Sequence, residues 1–188
     1  MICERTALVR DAGFQTRDEN GNLTIEGYFA VFGSEYHMWE NAVETIAPEA
    51  FDGTLGDDVR ALVNHDTTLV LGRTSSGTLS LRVDQRGLWG SITVNPADQD
   101  AVNLYERVRR GDVSQCSFGF DILSQDIEEL QDGTVRFTLR KVKLYEVSVV
   151  TFPAYEDTSV QARRKDYDAM RQRKRNLWQE EMLAKLRK

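Results

Sequence analysis

Residues 134–150 are a long β-rich run that Pro153 ends, so this chain is expected to build sheet. Just upstream, residues 116–123 read as a second strand. Asp132-Gly133 is the turn chemistry that would join the two as a hairpin. Residues 6–10, 23–32, 42–46, 59–64 and 69–72 supply shorter strands. Asn20-Gly21-Asn22 reads as a turn, and Gly27 hints at a bulge or tight bend. Residues 33–41, with His37 and Trp39, read as a loop, and residues 48–51 as a short helix opened by Pro48. Residues 78–83 and 88–94 alternate on either side of Asp84-Gln85-Arg86-Gly87 and predict a hairpin.

One helix is well specified in this part of the chain. Ala101, Leu104, Tyr105 and Val108 recur at helical spacing, with Asp98 and Asp100 at the start, three arginines in the last turn and Gly111 behind them. About eight short strands with one or two helices predict an α+β fold whose antiparallel sheet curls or closes into a small barrel. The stretch after residue 161 differs. From Ala162 onward there is no Gly or Pro, and Trp178, Met182 and Leu186 form a narrow apolar stripe on a basic helix. The division is therefore 1–160 for the body and 161–188 for a helical tail.

Charge divides the chain at the same place. The net charge of −6 combines 10 Lys/Arg against 4 Asp/Glu in residues 163–188, a balance of +6, with 14 against 26 in residues 1–162, a balance of −12. The basic cluster Arg171 to Arg175 could touch nucleic acid or an acidic partner, or be a solvated helix face. The acidic body argues against nucleic acid. No apolar run approaches the ~18 residues of a membrane span, and Met-Ile-Cys-Glu-Arg-Thr is not the start of a signal peptide. Two cysteines, Cys3 and Cys116, build no disulfide framework. Two histidines without a ligand-type spacing give no metal site, and no P-loop or dinucleotide fingerprint is present, so no cofactor is expected.

The chemistry that remains is nucleophilic. His65 lies at the end of an apolar run, Ser117 sits among aromatics in the 116–123 strand, and Glu146 is a lone carboxylate among apolar neighbours. A serine needs an imidazole to accept its proton and a third group to hold that imidazole in the right tautomer. Each residue also has a plain structural reading: a strand-end histidine, a tolerated hydroxyl, and a buried carboxylate paired with arginine. Ser114 and Cys116 compete with Ser117, and strand alternation places Cys116 on the opposite face from it. Asp66 competes with Glu146 for the ring, but as the neighbour of His65 it should point away.

Several blocks together carry a resemblance. Ala61-Leu62-Val63-Asn64-His65-Asp66, Leu71-Gly72-Arg73 and Gly87-Leu88-Trp89 match the front half of the tailed-phage prohead maturation proteases. Arg109-Arg110-Gly111-Asp112-Val113, Ser117-Phe118-Gly119-Phe120 and Leu144-Tyr145-Glu146-Val147-Ser148-Val149-Val150-Thr151-Phe152-Pro153-Ala154 match the later blocks. The resemblance covers roughly residues 20 to 160. It implies a serine endopeptidase with a fold similar to the herpesvirus assembly protease (assemblin), a mainly antiparallel β-barrel surrounded by helices. It also implies His65 as base, Ser117 as nucleophile, and Glu146 where the herpesvirus enzymes have a third, orienting histidine. The implied substrates and partners are the major capsid protein and the scaffold protein, met inside the procapsid in the host bacterial cytoplasm. A homodimer follows by analogy, and no cofactor, membrane or nucleic acid. Oxyanion-hole donors are expected from backbone N–H groups of residues 151–155. The rival is a non-catalytic capsid-assembly or scaffolding protein with a degenerate protease domain, which would have little reason to keep all three residues.

Overall fold

The long hairpin forms as the sequence predicts, and everything else in the body is arranged on it. The structure, a computed structural model, describes residues 3–5, 13–19, 21–152 and 157–186. Strand β10 (Gln115–Glu129) runs antiparallel to β11 (Val135–Val150), and Gly133 makes the turn with φ 82°. Beyond the strand expected over 116–123, residues 124–129 continue β10, because β11 offers their backbone a ladder while their side chains stay largely outside.

The earlier strands, in chain order, are β1 (Cys3–Arg5), β2 (Gln15–Glu19), β3 (Asn22–Val31), β4 (Tyr36–Trp39) and β5 (Ala42–Ile46). They are followed by β6 (Arg60–Val63), β7 (Asp66–Arg73), β8 (Leu79–Val83) and β9 (Gly87–Val94). One sheet of seven strands has the order β1-β10-β11-β5-β4, with β6 also on β11 and β7 on β6. The free edge of β11 is covered twice by parallel neighbours: β5 beside residues 135–139, then β6 beside residues 146–149. A second sheet of four strands has the order β2-β3-β9-β8. The loop expected over 33–41 contains β4, and the short strand expected at 69–72 is part of the longer β7. The strand expected at 6–10 lies outside the described residues. The irregularity expected at Gly27 falls later, between Tyr28 and Ala30, so that Ala30 joins Phe29 in the core.

Between the two sheets lies one apolar core. Phe29, Ile25, Leu88 and Ile92 come from the small sheet, and Cys116, Phe118, Phe120, Leu144, Val147 and Val149 from the large one. Phe51, from the short 3-10 turn Pro48–Phe51, packs edge-on to Phe118 at 5.7 Å between ring centres. Helix α1 (Gln99–Arg110) forms as predicted. The Asp98 carboxylate caps Asp100 N and Ala101 N, Gly111 adopts φ 84°, and Ala101, Leu104, Tyr105 and Val108 are buried.

The expected closed barrel surrounded by helices is not what these strands form. Among the described residues no ladder joins the two sheets, and the body shows one α-helix. Two of the edge strands are poorly suited to further pairing: β4 is four residues long, and β2 is almost entirely exposed and carries charged side chains. Backbone contacts group residues 1–155 as one unit and 156–188 as another, the second containing helix α2 (Asp157–Leu186). On α2, Leu177, Trp178, Met182 and Leu183 are exposed. Among the described residues no helix is long and apolar enough to cross a membrane.

Candidate active site

Strands β10 and β11 put Ser117 and Glu146 on one face of the large sheet, and the turn between β6 and β7 brings His65 to Glu146. In antiparallel pairs, residues directly opposite share a face, with Cβ atoms about 4.5–5.5 Å apart. Ser117 lies opposite Ser148, and Gly119 opposite Glu146, so all four positions face away from the Cys116–Phe118–Val147–Val149 core. Simple alternation from Leu144 would have sent Glu146 into that core. The ladder slips between Gly119 and Phe120, where Tyr145 is an extra residue on β11. This bulge turns Glu146 outward and Val147 inward. Tyr145 itself donates its hydroxyl to Asp121 Oδ2 at 2.7 Å.

Gly119 makes room for the carboxylate. A Cβ at this position would lie 2.6 Å from Glu146 Oε1 and 3.1 Å from its Cγ, closer than any side chain tolerates. The Glu146 carboxyl group therefore rests over the backbone of β10.

His65 comes from the opposite side of β11. It sits in the two-residue turn between β6 and β7, where Val63 pairs with Asp66, and both turn residues are left-handed: Asn64 at φ 50° and His65 at φ 61°. This is hairpin geometry that usually recruits Asn-Gly, and here the second place holds an imidazole at a steric cost of about 1–2 kcal/mol. Three hydrogen bonds tie the turn to the end of β11. Asn64 N donates to Val149 O at 3.0 Å, Thr151 N donates to Asn64 Oδ1 at 2.8 Å, and His65 N donates to Ser148 Oγ at 3.2 Å. Strain held by surrounding bonds is a recurrent feature of functional sites.

The turn places His65 Nδ1 2.7 Å from Glu146 Oε1, with both side chains about nine-tenths buried. Were Glu146 ionised it could only accept, and a neutral His65 ring would then carry its proton on Nδ1 and its lone pair on Nε2. The other oxygen, Oε2, accepts the Ser148 hydroxyl at 2.6 Å. Ser117 and Ser148 are both fully buried.

The competing residues are placed elsewhere. Cys116 is turned into the core with Sγ 3.1 Å from Tyr28 O, and burial pushes its thiol far above the ordinary range. Iodoacetamide is accordingly expected to leave Cys116 unmodified in the native protein at neutral pH and to label it after denaturation, read by peptide mass. Asp66 Oδ1 accepts from Thr68 Oγ1 and Thr68 N, which hold its carboxyl below the usual range at the exposed start of β7. Ser114 lies in the connection before β10, and His37 is exposed on β4. Of the expected oxyanion donors, Thr151 N is occupied by Asn64, and residues 153–155 lie outside the described residues. Among the described residues no group of acids, cysteines and histidines could hold a metal. Sequence reasoning missed Ser148, Gly119 and Asn64. The only sequence signal for them was their place in the quoted blocks.

A family model of the caudovirus prohead serine protease matches residues 11–173. The prohead protease of Enterobacteria phage HK97 is 27% identical over 141 residues, which are 73% of this chain and 60% of that protein. The chain thus spans about 60% of the length of this curated relative. Among solved structures, the capsid assembly protease of bacteriophage T4 aligns with 79% of this chain and 94% of its own at 13% identity and a TM-score of 0.41.

Proposed function

The chain belongs to the caudovirus prohead serine protease family, and from that premise we propose that it is a serine endopeptidase acting on capsid or scaffold protein inside the procapsid. The observation that carries the assignment of residues is the 2.7 Å contact between His65 Nδ1 and Glu146 Oε1, on the sheet face that Ser117 shares. In this reading His65 Nε2 takes the Ser117 proton as Oγ bonds to the scissile carbonyl carbon. The same nitrogen then gives that proton to the departing amine. Water, deprotonated by His65, attacks the acyl-enzyme, and the Ser117 oxygen leaves with the proton returned. Glu146 holds Nδ1–H throughout and stabilises the imidazolium.

Ser117 has no accessible surface in this state, so acylation requires a local opening. A small fluorophosphonate therefore suits the test better than a bulky one. Incubation of the purified chain should add one phosphonyl group, located on the peptide containing Ser117, and denaturation beforehand should abolish it. A modified Ser114, or no modification of a protein that still cleaves its substrate, would overturn the assignment. The proposal confines the chemistry to residues 1–160 and reads the basic helix 161–188 as the surface that docks on scaffold or capsid protein. In the same assay a chain ending at residue 160 should keep its labelling but process co-expressed capsid protein less. Lost labelling would place part of the chemistry in the tail.

A further inference from the structure

We propose that Ser148 is a positioning residue of this site, fixing the Glu146 carboxylate and the His65 backbone through one hydroxyl. The inference rests on the triad reading above. Ser148 Oγ donates to Glu146 Oε2 at 2.6 Å and accepts from His65 N at 3.2 Å, and the side chain is fully buried. Each carboxylate oxygen then has its own partner, Oε1 the ring and Oε2 the hydroxyl. Without the second bond the carboxylate is free to rotate about its Cγ–Cδ axis, and its hold on Nδ1–H loosens.

The acceptor half of the bond matters separately. In a two-residue turn of this type the N–H of the second residue has no ladder partner, and here that residue carries the imidazole. Ser148 supplies the acceptor and so locks the left-handed backbone from which the ring projects. One hydroxyl has one proton, and the Ser148 proton is directed at a carboxylate rather than at a ring nitrogen. That separates Ser148 from its cross-strand partner Ser117. Ser148 thus acts through Glu146 and His65 and does not itself react.

The test uses the full chain with 15N-labelled histidine. Only His37 and His65 contribute signals, and a His37→Asn variant assigns them. In the wild type, the neutral His65 ring is expected as the Nδ1–H tautomer. Ser148→Ala should populate the Nε2–H tautomer and slow fluorophosphonate labelling of Ser117 about tenfold or more. Ser148→Thr, which keeps the hydroxyl, should restore both. Thr and Val have equal shape, so Ser148→Thr beside Ser148→Val gives the same comparison if the alanine variant does not fold. A folded hydroxyl-free variant with wild-type tautomer and rate overturns the proposal, as does failure of every hydroxyl-free variant to fold. Phosphonylation of Ser148 itself would overturn this proposal and the triad reading together. A wild type that resists the probe, but whose ring still changes tautomer in Ser148→Ala, would keep the positioning role and remove the acyl-enzyme reading alone.

Discussion

Ser117→Ala is expected to lower peptide-bond cleavage by about 10⁴–10⁶-fold while leaving a folded protein. The size follows from the proposed mechanism. Without the hydroxyl no acyl-enzyme forms, and only the residual effect of binding and oxyanion stabilisation remains over the uncatalysed reaction. Folding should survive because the change removes one oxygen from a strand whose backbone ladder and core neighbours, Cys116 and Phe118, are untouched. The assay co-expresses wild type or variant with the capsid and scaffold proteins of the same virus and follows those proteins by gel and intact mass. Wild-type processing that vanishes in Ser117→Ala, with unchanged thermal unfolding, is the expected result. Equal processing by both would move the nucleophile elsewhere. Ser114 would be the first alternative, because Cys116 is sealed in the core and its thiol is pushed toward the unreactive neutral form. Processing by neither would favour the scaffolding reading.

What the sequence made legible was local. Helix α1 was legible because the acidic residues at its start, the arginines of its last turn and Gly111 each suit a helix end by themselves, although Asp98 proves to be the N-cap rather than part of the first turn. The β8–β9 hairpin and the Asp132-Gly133 turn were legible for the same reason. Parallel pairing of β5 and β6 along one edge of β11 was not, since it joins residues some 90 positions apart with no turn between them to announce it. The barrel expectation failed at this point: about eight strands were read where the described residues hold eleven, and which edges pair was not readable at all.

Within the site, residue types were legible and their geometry was not. Glu146 reads in sequence as a carboxylate in a strand apolar on both faces. The bulge at Tyr145 explains that pattern, because it shifts the apolar face by one residue within the strand. The turn at Asn64-His65 hides its hairpin character because the place usually held by glycine holds the imidazole. Ser148 and Gly119 carry no signal of their own: a serine and a glycine in strands are ordinary until the carboxylate between them is located.

Gly119→Ala brings that arrangement to a measurement. A methyl group 2.6 Å from Glu146 Oε1 must displace either the carboxylate or β10 itself. Neither strand can move easily, because β10 is hydrogen-bonded to β1 and β11, and β11 in turn to β6. The carboxylate is the part that gives, and it leaves its 2.7 Å contact with His65 Nδ1. A shift of about 1 Å in a group that orients the base costs on the order of 10²-fold in rate, and the overpacking costs about 1–3 kcal/mol in stability. Glu146→Ala removes the obstacle. In that background the added methyl finds open space where the carboxylate was, so Gly119→Ala should cost little further stability and little further activity. Four proteins, wild type, both single variants and the double, compared by thermal unfolding and by Ser117 labelling, give the coupling directly. Strong non-additivity in both readouts is the expected result. Additive losses would mean that the methyl disturbs the β10–β11 backbone instead, and that Gly119 serves the strand rather than the carboxylate.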